Sequence, residues 1–305
     1  MVGYYERKWS ASARRSEFLA LLCIPFFGLS IILHRAVLIS SIQAIWLIAF
    51  GLAVLLASLY FGMRALWEIW NKGYRGSGAA FRGIVLALAM AAPFCWYGYR
   101  AVTLPLLSDV ATDPIDPPEF LTAQALREEM AGRGVNQLSV YGDDYAEMLA
   151  AAYPKLGSRR YDAGTERVLA SVLQLIEARG WTVTATSQLP QSDTIPEAAS
   201  GKPAEETPAR ARPATGAAGG QKAGAERPDD AIGPQDFEVQ AVAHTFIFGF
   251  KSDVVVRIVS EEEASLVDMR AASRYGAHDF GFNAGLTEKF LADLDASLVG
   301  IAGEG

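Results

Sequence analysis

The chain has 305 residues, a formal net charge of −7 and 51% hydrophobic residues, and its charge is unevenly distributed. Residues 1–104 contain 10 Lys and Arg against 3 Asp and Glu, whereas residues 105–305 contain 17 against 31, as in a membrane anchor joined to a soluble domain. The acidic second part argues against nucleic-acid binding, which needs basic side chains, and its lack of cysteine excludes disulfides and thiolate metal sites.

Three uncharged apolar runs in the first part predict three transmembrane helices. We place them at about residues 18–39, 42–63 and 83–104, within an anchor at 18–107 that follows a cytoplasmic tail at 1–17. A helix needs about 20 apolar residues to cross the bilayer core. The first and third runs are short, so we expect the first span to continue through residues 36–39 and the third through residues from 101–107 to reach that length.

Basic residues flank the three predicted spans unequally. The tail and the loop between the second and third spans contain eight Lys and Arg, whereas the other flanks contain only Arg35 and Arg100. The positive-inside rule therefore places the N-terminus in the cytoplasm and everything from residue 105 onward on the opposite side.

An extended segment follows the third span. The prolines between residues 114 and 118 exclude a helix, so we expect residues 105–120 to form a solvated tether. Its aspartates, Asp109, Asp113 and Asp116, lack the spacing and the glycine of an EF-hand calcium loop.

Residues 108–189 are predicted to form the first part of a soluble domain. The expected elements are short helices near 122–131 and 143–152, a strand at 156–161, a helix capped by Asp162 and terminated by Gly180, and a strand at 181–187.

Residues 190–235 are dominated by Ala, Pro, Gly, Glu and Arg. Such a composition cannot bury enough apolar surface to offset the entropy of ordering, so we predict a disordered low-complexity insertion. Because strand patterns lie on both sides, we expect the insertion to interrupt one domain rather than to separate two.

Residues 236–299 are predicted to complete the domain. The expected elements are a strand at 237–250 with Val242, His244, Phe246 and Phe248 on one side, a turn at Lys251 and Ser252, a strand at 254–259, a turn at 261–263, a strand at 266–270 and a helix at 283–298. This order predicts an α+β domain in which an antiparallel sheet has two helices on one face.

Two motifs resemble a known family. Residues 108–120 read SDVATDPIDPPEF and residues 267–284 read VDMRAASRYGAHDFGFNA, and Tyr153-Pro154 and Gly180-Trp181 agree with the same pattern. They resemble the domain-of-unknown-function family fourteen-ninety-nine (DUF1499). The resemblance implies a bacterial or plastid protein, and here an inner-membrane anchor with a periplasmic domain. It implies no activity.

A cluster of polar residues lies between the last strand and the last helix. It consists of Asp268, Arg270, Ser273, Arg274, His278, Asp279 and Asn283. A structural interpretation pairs Arg270 and Arg274 with Asp268 and Asp279, while Asn283 caps the helix. A functional interpretation is an anionic-ligand pocket with Arg274 as a bidentate clamp, the helix N-terminus as a second contact and His278 as a titratable group.

Three functional hypotheses follow from these patterns. The first is a non-catalytic envelope module that contacts the lipid bilayer and binds an envelope protein or a small ligand, with no cofactor and no metal. The second is a periplasmic hydrolase or transferase that uses Asp268, Arg274 and Asp279, and the third is a carrier of a lipid or small apolar ligand between sheet and helix. The sequence has no nucleophile elbow, phosphate-binding loop or dinucleotide fingerprint, which favours the first.

Overall fold

The computed structural model describes residues 7–189, 235–262 and 264–301. Its first part contains three helices that are long and apolar enough to cross a membrane, as predicted. They are α1 (Ala11–Arg35), α2 (Ser41–Lys72) and α3 (Ser77–Thr103).

The predicted extension of the first span through residues 36–39 is wrong. Helix α1 ends at Arg35, and Val37 has a left-handed φ of 59° that a continuing helix does not allow. Ser40 then starts α2 with a capping box, in which its side chain and that of Gln43 each bond the other's backbone N–H. No helical continuation beyond Arg35 therefore lengthens the first apolar run.

Small residues bring the three helices into close contact. A Cβ atom at Gly51 would lie 2.5 Å from the ring of Phe27, and one at Gly83 would lie 2.7 Å from the backbone nitrogen of Glu17. The hydroxyl of Ser58 donates a hydrogen bond of 2.8 Å to the carbonyl of Ser16. Such contacts are typical of helix packing in membranes, where apolar burial does not distinguish protein from lipid.

The second part of the chain forms a six-stranded antiparallel sheet and four helices within the described residues. The elements in chain order are β1 (Asp109–Ala111), α4 (Ala123–Glu129), α5 (Asp143–Ala152), β2 (Arg159–Tyr161), α6 (Thr165–Ala178), β3 (Thr182–Leu189), β4 (Asp236–His244), β5 (Lys251–Glu261), β6 (Ala264–Ser273) and α7 (Phe282–Ile301). The strand order is β1-β6-β5-β4-β3. Strand β2 pairs with the first half of β6, along the same edge as β1.

Helices α6 and α7 pack on one face of the sheet, which confirms the predicted fold. Alternate residues of the central strands, such as Val256 and Met269, point into this core and are fully buried. They meet Val172 and Ile176 of α6 and Phe290 of α7, at the helical spacing expected for buried faces. The space between sheet and helices is thus filled with side chains.

Residues 112–141 cover the opposite face of the sheet, and the predicted solvated tether is therefore wrong. The side chains of Phe120 and Ala123 pack against Val255 and Ala272 of the sheet. Strand β1 itself pairs with β6, and Asp109 is only 1% exposed. The chain enters the sheet almost directly after α3.

Two predicted element boundaries are also wrong. The residue at the N-cap of α6 is Gly164 rather than Asp162, whereas Gly180 follows the helix with a left-handed φ of 64° as predicted. Strand β4 ends at His244, and the hairpin turn lies at residues 245–250 rather than at Lys251 and Ser252. The side chain of Thr245 accepts a hydrogen bond from the Phe250 backbone, which closes this turn.

The predicted disordered insertion at 190–235 lies outside the described residues except for residue 235. The division of the domain at this segment stays a prediction.

Candidate functional site

The face of the sheet that α6 and α7 leave free carries charged residues on adjacent strands. Asp253 and Arg257 alternate with apolar residues on β5, and Asp268 and Arg270 do the same on β6. The strand register places Arg257 directly opposite Asp268. Since residues 112–141 cover this face, the charges are buried and each must find a partner inside the domain.

Arg270 pairs with Asp109 of β1 rather than with Asp268 or Asp279. Its Nε and Nη2 atoms donate hydrogen bonds of 2.9 and 2.8 Å to the two carboxylate oxygens. The guanidinium lies between the rings of Phe120 and Tyr141, at 5.2 and 4.8 Å from their centroids. The phenolic hydroxyl of Tyr141 also donates to Asp109, so the carboxylate is enclosed by donors.

Asp268 is held by three donors from separate segments. Arg257 Nη2 donates to it at 3.1 Å, and the hydroxyls of Thr112 and Ser158 also donate to it. The same guanidinium reaches Asp116 at 2.7 Å. Asp268 is fully buried, and its carboxylate connects β5 and β6 with the two chain segments that contain Thr112 and Ser158.

Asp253 is shared by two arginines. Arg274 donates to it from Nε and Nη2 at 3.0 and 2.6 Å, and Arg127 of α4 donates from Nη2 at 2.8 Å. Arg127 is only 1% exposed and also donates to the backbone carbonyls of Asn136 and Ala272. Burial lowers the pKa of Arg127, and the charge of Asp253 opposes that effect.

Asp279, and not Asn283, caps the last helix. Its carboxylate accepts hydrogen bonds of 2.8 Å from the backbone N–H groups of Gly281 and Asn283. Burial raises the pKa of Asp279, and these two N–H groups oppose the rise. The amide of Asn283 instead donates to the Ser108 carbonyl and the Ser273 hydroxyl, which ties α7 to the start of β1.

His278 contributes to the same turn. Its Nδ1 atom accepts a hydrogen bond of 3.0 Å from the backbone N–H of Phe280, and its ring stacks on the Phe280 ring at 4.9 Å.

The predicted anion contacts are therefore occupied by carboxylates of the chain itself. Asp253 fills the guanidinium fork of Arg274, and Asp279 occupies the N-terminus of α7. Arg274 nevertheless lines one cavity, and Ser273, His278 and Asp279 line a second. The partners Asp109, Arg127 and Asp253 were missed in the sequence, although the alternation of charged and apolar residues in β5 marks Asp253 as lying on the same face as Arg257.

A cavity of about 650 Å³ lies between the domain and the ends of α1 and α2 that face it. Its described lining contains six basic or imidazole side chains and no carboxylate: His34, Arg35, Arg179, His244, Lys251 and Arg274. Burial lowers the pKa of His244, and the charges of Lys251, Arg35 and Arg274 lower it further. The cavity is therefore electropositive.

The cations of this cavity differ in how far they are already neutralised. Arg179 pairs with Asp293, Arg274 pairs with Asp253, and Arg35 donates to the backbone carbonyl of Phe246 at 2.7 Å. Lys251 forms no salt bridge with any described residue, and it is half-buried at the start of β5. Its ammonium group is the natural first contact for an incoming anion.

One family model matches the chain over residues 109–294, and the family is described as "Protein of unknown function (DUF1499)". The chain belongs to the DUF1499 family. No curated protein and no solved structure matches it.

The match to DUF1499 begins at the first residue of β1 and ends inside α7. The DUF1499 unit thus contains the whole sheet, α6, the first part of α7 and the buried ion pairs, but none of the three apolar helices. The electropositive cavity is built from both parts, because His34 and Arg35 come from α1 whereas Lys251 and Arg274 come from the DUF1499 domain.

Proposed function

We propose that this protein is a multi-pass protein of the bacterial inner membrane whose periplasmic DUF1499 domain binds an anionic ligand at its junction with the anchor. The eight Lys and Arg on one side of the spans, against two on the other, support a cytoplasmic N-terminus. A fusion of alkaline phosphatase to the C-terminus is then expected to be active. An inactive phosphatase fusion, together with a fluorescent C-terminal fusion to green fluorescent protein, would place the C-terminus in the cytoplasm and overturn this orientation.

The observation that carries the binding proposal is the electropositive cavity at the junction. Its walls include the turn between α1 and α2, so it lies at the level where a membrane presents its phosphate groups. A basic wall without carboxylates, most of whose side chains are buried or half-buried, favours a phosphate or a similar anion. The phosphate can belong to a lipid headgroup or to a small soluble molecule.

A second cavity favours the lipid headgroup as the source of that phosphate. It has a volume of about 450 Å³ and is mostly apolar, with Ile45, Leu106, Phe250 and Phe282 in its walls. The two cavities share Thr245, Lys251 and Tyr275. An amphiphile could therefore place its anionic group beside Lys251 and an acyl chain against the apolar walls. This position replaces the expected one between sheet and helices, where side chains fill the core.

The buried ion pairs support a binding role rather than catalysis. The residues proposed for a hydrolase or transferase, Asp268, Arg274 and Asp279, each serve as a partner of another group of the fold. A catalytic carboxylate must reach a substrate, and Asp268 and Asp279 are 0% and 7% exposed.

The test measures ligands on the full-length protein in nanodiscs by native mass spectrometry and calorimetry. One arm compares phosphatidylcholine with phosphatidylglycerol, and a second titrates glycerol phosphate into phosphatidylcholine discs. We expect Lys251→Gln to weaken binding of the preferred ligand by about tenfold or more, since a hydrogen bond to a charged group contributes about 1.5–3 kcal/mol. Lys155→Gln, an exposed lysine outside both cavities, is the matched control.

The two arms separate the possible sources of the anion. Preference for phosphatidylglycerol without glycerol phosphate binding identifies a lipid, and the reverse identifies a soluble phosphate. Equal binding by the wild type and Lys251→Gln in both arms would overturn the proposed site.

A further inference from the structure

The turn between β4 and β5 carries an unusual concentration of apolar side chains for an exposed hairpin. Residues 245–250 read TFIFGF, and we call this segment the aromatic loop. Phe246 at its tip is 93% exposed and Ile247 is 47% exposed. Large apolar groups that are this exposed mark an interaction surface when they form a patch.

The aromatic loop is fastened to the end of α1. The carbonyl of Phe248 accepts a hydrogen bond of 2.6 Å from Nδ1 of His34, and the carbonyl of Phe246 accepts one of 2.7 Å from Arg35. The backbone N–H of Gly249 bonds to the Thr245 carbonyl within the loop. These bonds satisfy polar backbone groups that would otherwise oppose entry into an apolar medium.

The aromatic loop also contacts the helical bundle through one of its rings. The ring of Phe248 lies 6.4 Å from that of Phe94 in α3, and Phe94 lies 5.4 Å from Phe27 in α1. Phe27 precedes Arg35 by two helical turns, which corresponds to about 12 Å along the helix axis. The ring of Phe248 therefore packs against the aromatic side chains of the helical bundle, near the end of α1 that His34 marks.

The apolar part of α1 is shorter than the membrane core that it has to cross. Its uncharged run, residues 18–33, provides about 24 Å of apolar helix, whereas the hydrocarbon core is about 30 Å thick. The turn after α1 is not helical but carries Val37 and Leu38, which are 76% and 71% exposed. Val37, Leu38 and the tip of the aromatic loop provide apolar surface in the part of the hydrocarbon core that the apolar run of α1 is too short to cross.

We propose that the aromatic loop, together with Val37 and Leu38, is embedded in the adjacent lipid leaflet as a membrane contact additional to the three spans. The partner is the bilayer itself, because the patch continues the lipid-facing surface of the bundle and contains no charged residue between 245 and 250. The contact holds the domain in one orientation on the membrane.

The test uses the full-length protein in nanodiscs, with Cys95→Ala as background because Cys95 is exposed. The variant Phe246→Cys carries an environment-sensitive fluorophore on the new thiol. Its quenching by iodide in water is compared with its quenching by phosphatidylcholine that has a nitroxide at the fifth acyl carbon. We expect blue-shifted emission, at least threefold weaker iodide quenching than at the control site and strong quenching by the lipid nitroxide.

The control site is Glu262, an exposed residue beyond the opposite end of β5, about 33 Å or more from the loop at the rise of an extended strand. A label there is expected to respond to iodide and not to the lipid nitroxide. Val37→Cys in the α1–α2 turn tests the same depth without altering the aromatic loop. Iodide quenching at residues 246 and 37 equal to that at residue 262 would overturn the proposal.

Discussion

Arg270 and Asp109 form a bidentate ion pair on the covered sheet face, between β6 and the edge strand β1, with side chains that are 8% and 2% exposed. Asp109 lies only six residues beyond the end of α3, so this pair fixes the sheet to the anchor at the point where the chain leaves the membrane helices. A charge left alone in such a place has no access to water, which makes the pair a sensitive site for mutation.

Asp109→Ala is expected to lower the free energy of unfolding by about 3–5 kcal/mol, because Arg270 would stay buried without its counterion. Adding Arg270→Met should restore part of that loss, since the second change removes the unpaired charge. Urea unfolding of the full-length protein in detergent, followed by near-ultraviolet circular dichroism, measures both effects. Arg160→Ala, which breaks an exposed pair with Glu261, should cost less than about 1 kcal/mol. An equal loss in Asp109→Ala and Arg160→Ala would contradict the prediction.

Asp253→Asn is expected to destabilise the protein more than Arg274→Ala does. Asp253 neutralises two arginines, and one of them, Arg127, is enclosed with a side chain that is 1% exposed. The amide would leave both guanidinium groups without a charge partner, at a cost of about 3–5 kcal/mol. Loss of Arg274, which lies nearer to solvent, leaves the Arg127 pair intact. The same unfolding assay ranks the two variants. A larger loss of stability in Arg274→Ala would show that Asp253 is not the central counterion of the two arginines.

Gly281→Ala tests the close approach between the anchor and the start of α7. Gly281 has a φ of 71°, and a Cβ there would lie 2.8 Å from Leu104 Cδ1 and 3.1 Å from the hydroxyl of Tyr153. We expect a loss of about 1–3 kcal/mol, typical of a residue forced into a left-handed conformation. The matched control is Gly285→Ala, where nothing lies within 4 Å and helix propensity should stabilise by up to about 1 kcal/mol. Thermal unfolding should therefore shift in opposite directions, and parallel shifts would refute the explanation.

Protonation of His244 should link pH to ligand binding. Burial and the charges of Lys251, Arg35 and Arg274 place its pKa below the ordinary value of 6.5, so the ligand-free protein loses stability as pH falls below 6.5. A bound anion would offset those charges and raise the pKa, so binding takes up a proton and tightens toward acidic pH. Calorimetry in buffers of different ionisation enthalpy should detect the uptake, and His244→Gln should abolish it. Binding that is independent of pH in the wild type would contradict this prediction.

The parts of the fold that the sequence predicted are those with a local physical cause. The three spans follow from apolar runs that lipid requires, and α6 follows from a stripe that includes Val168, Val172 and Ile176. The covered sheet face could not be predicted in this way. Asp109 stands in a proline-rich acidic segment that suggests solvent, and only the fold brings it to Arg270, 161 residues later.

The candidate site shows the same limit. Arg274 and Asp279 were recognised as a polar cluster because they are neighbours in sequence, but their partners were not. Asp253 belongs to another strand, and the N–H groups that Asp279 caps become available only once α7 has formed. The electropositive cavity depends on the turn after α1 meeting the start of β5, and no local pattern reports that contact.

The pairing of β1 with β6 has a consequence for biosynthesis. Strand β1 is the first strand after the membrane anchor, and it hydrogen-bonds to β6, the last strand of the sheet. The ribosome must therefore synthesise residues up to 273 before β1 can pair with β6. Until then the edge of β5 that receives β6 is open to pairing with other chains. A nascent domain of this design therefore matures only after synthesis of its final strand, and truncations before residue 264 should yield aggregates or proteolysed fragments rather than a smaller folded protein.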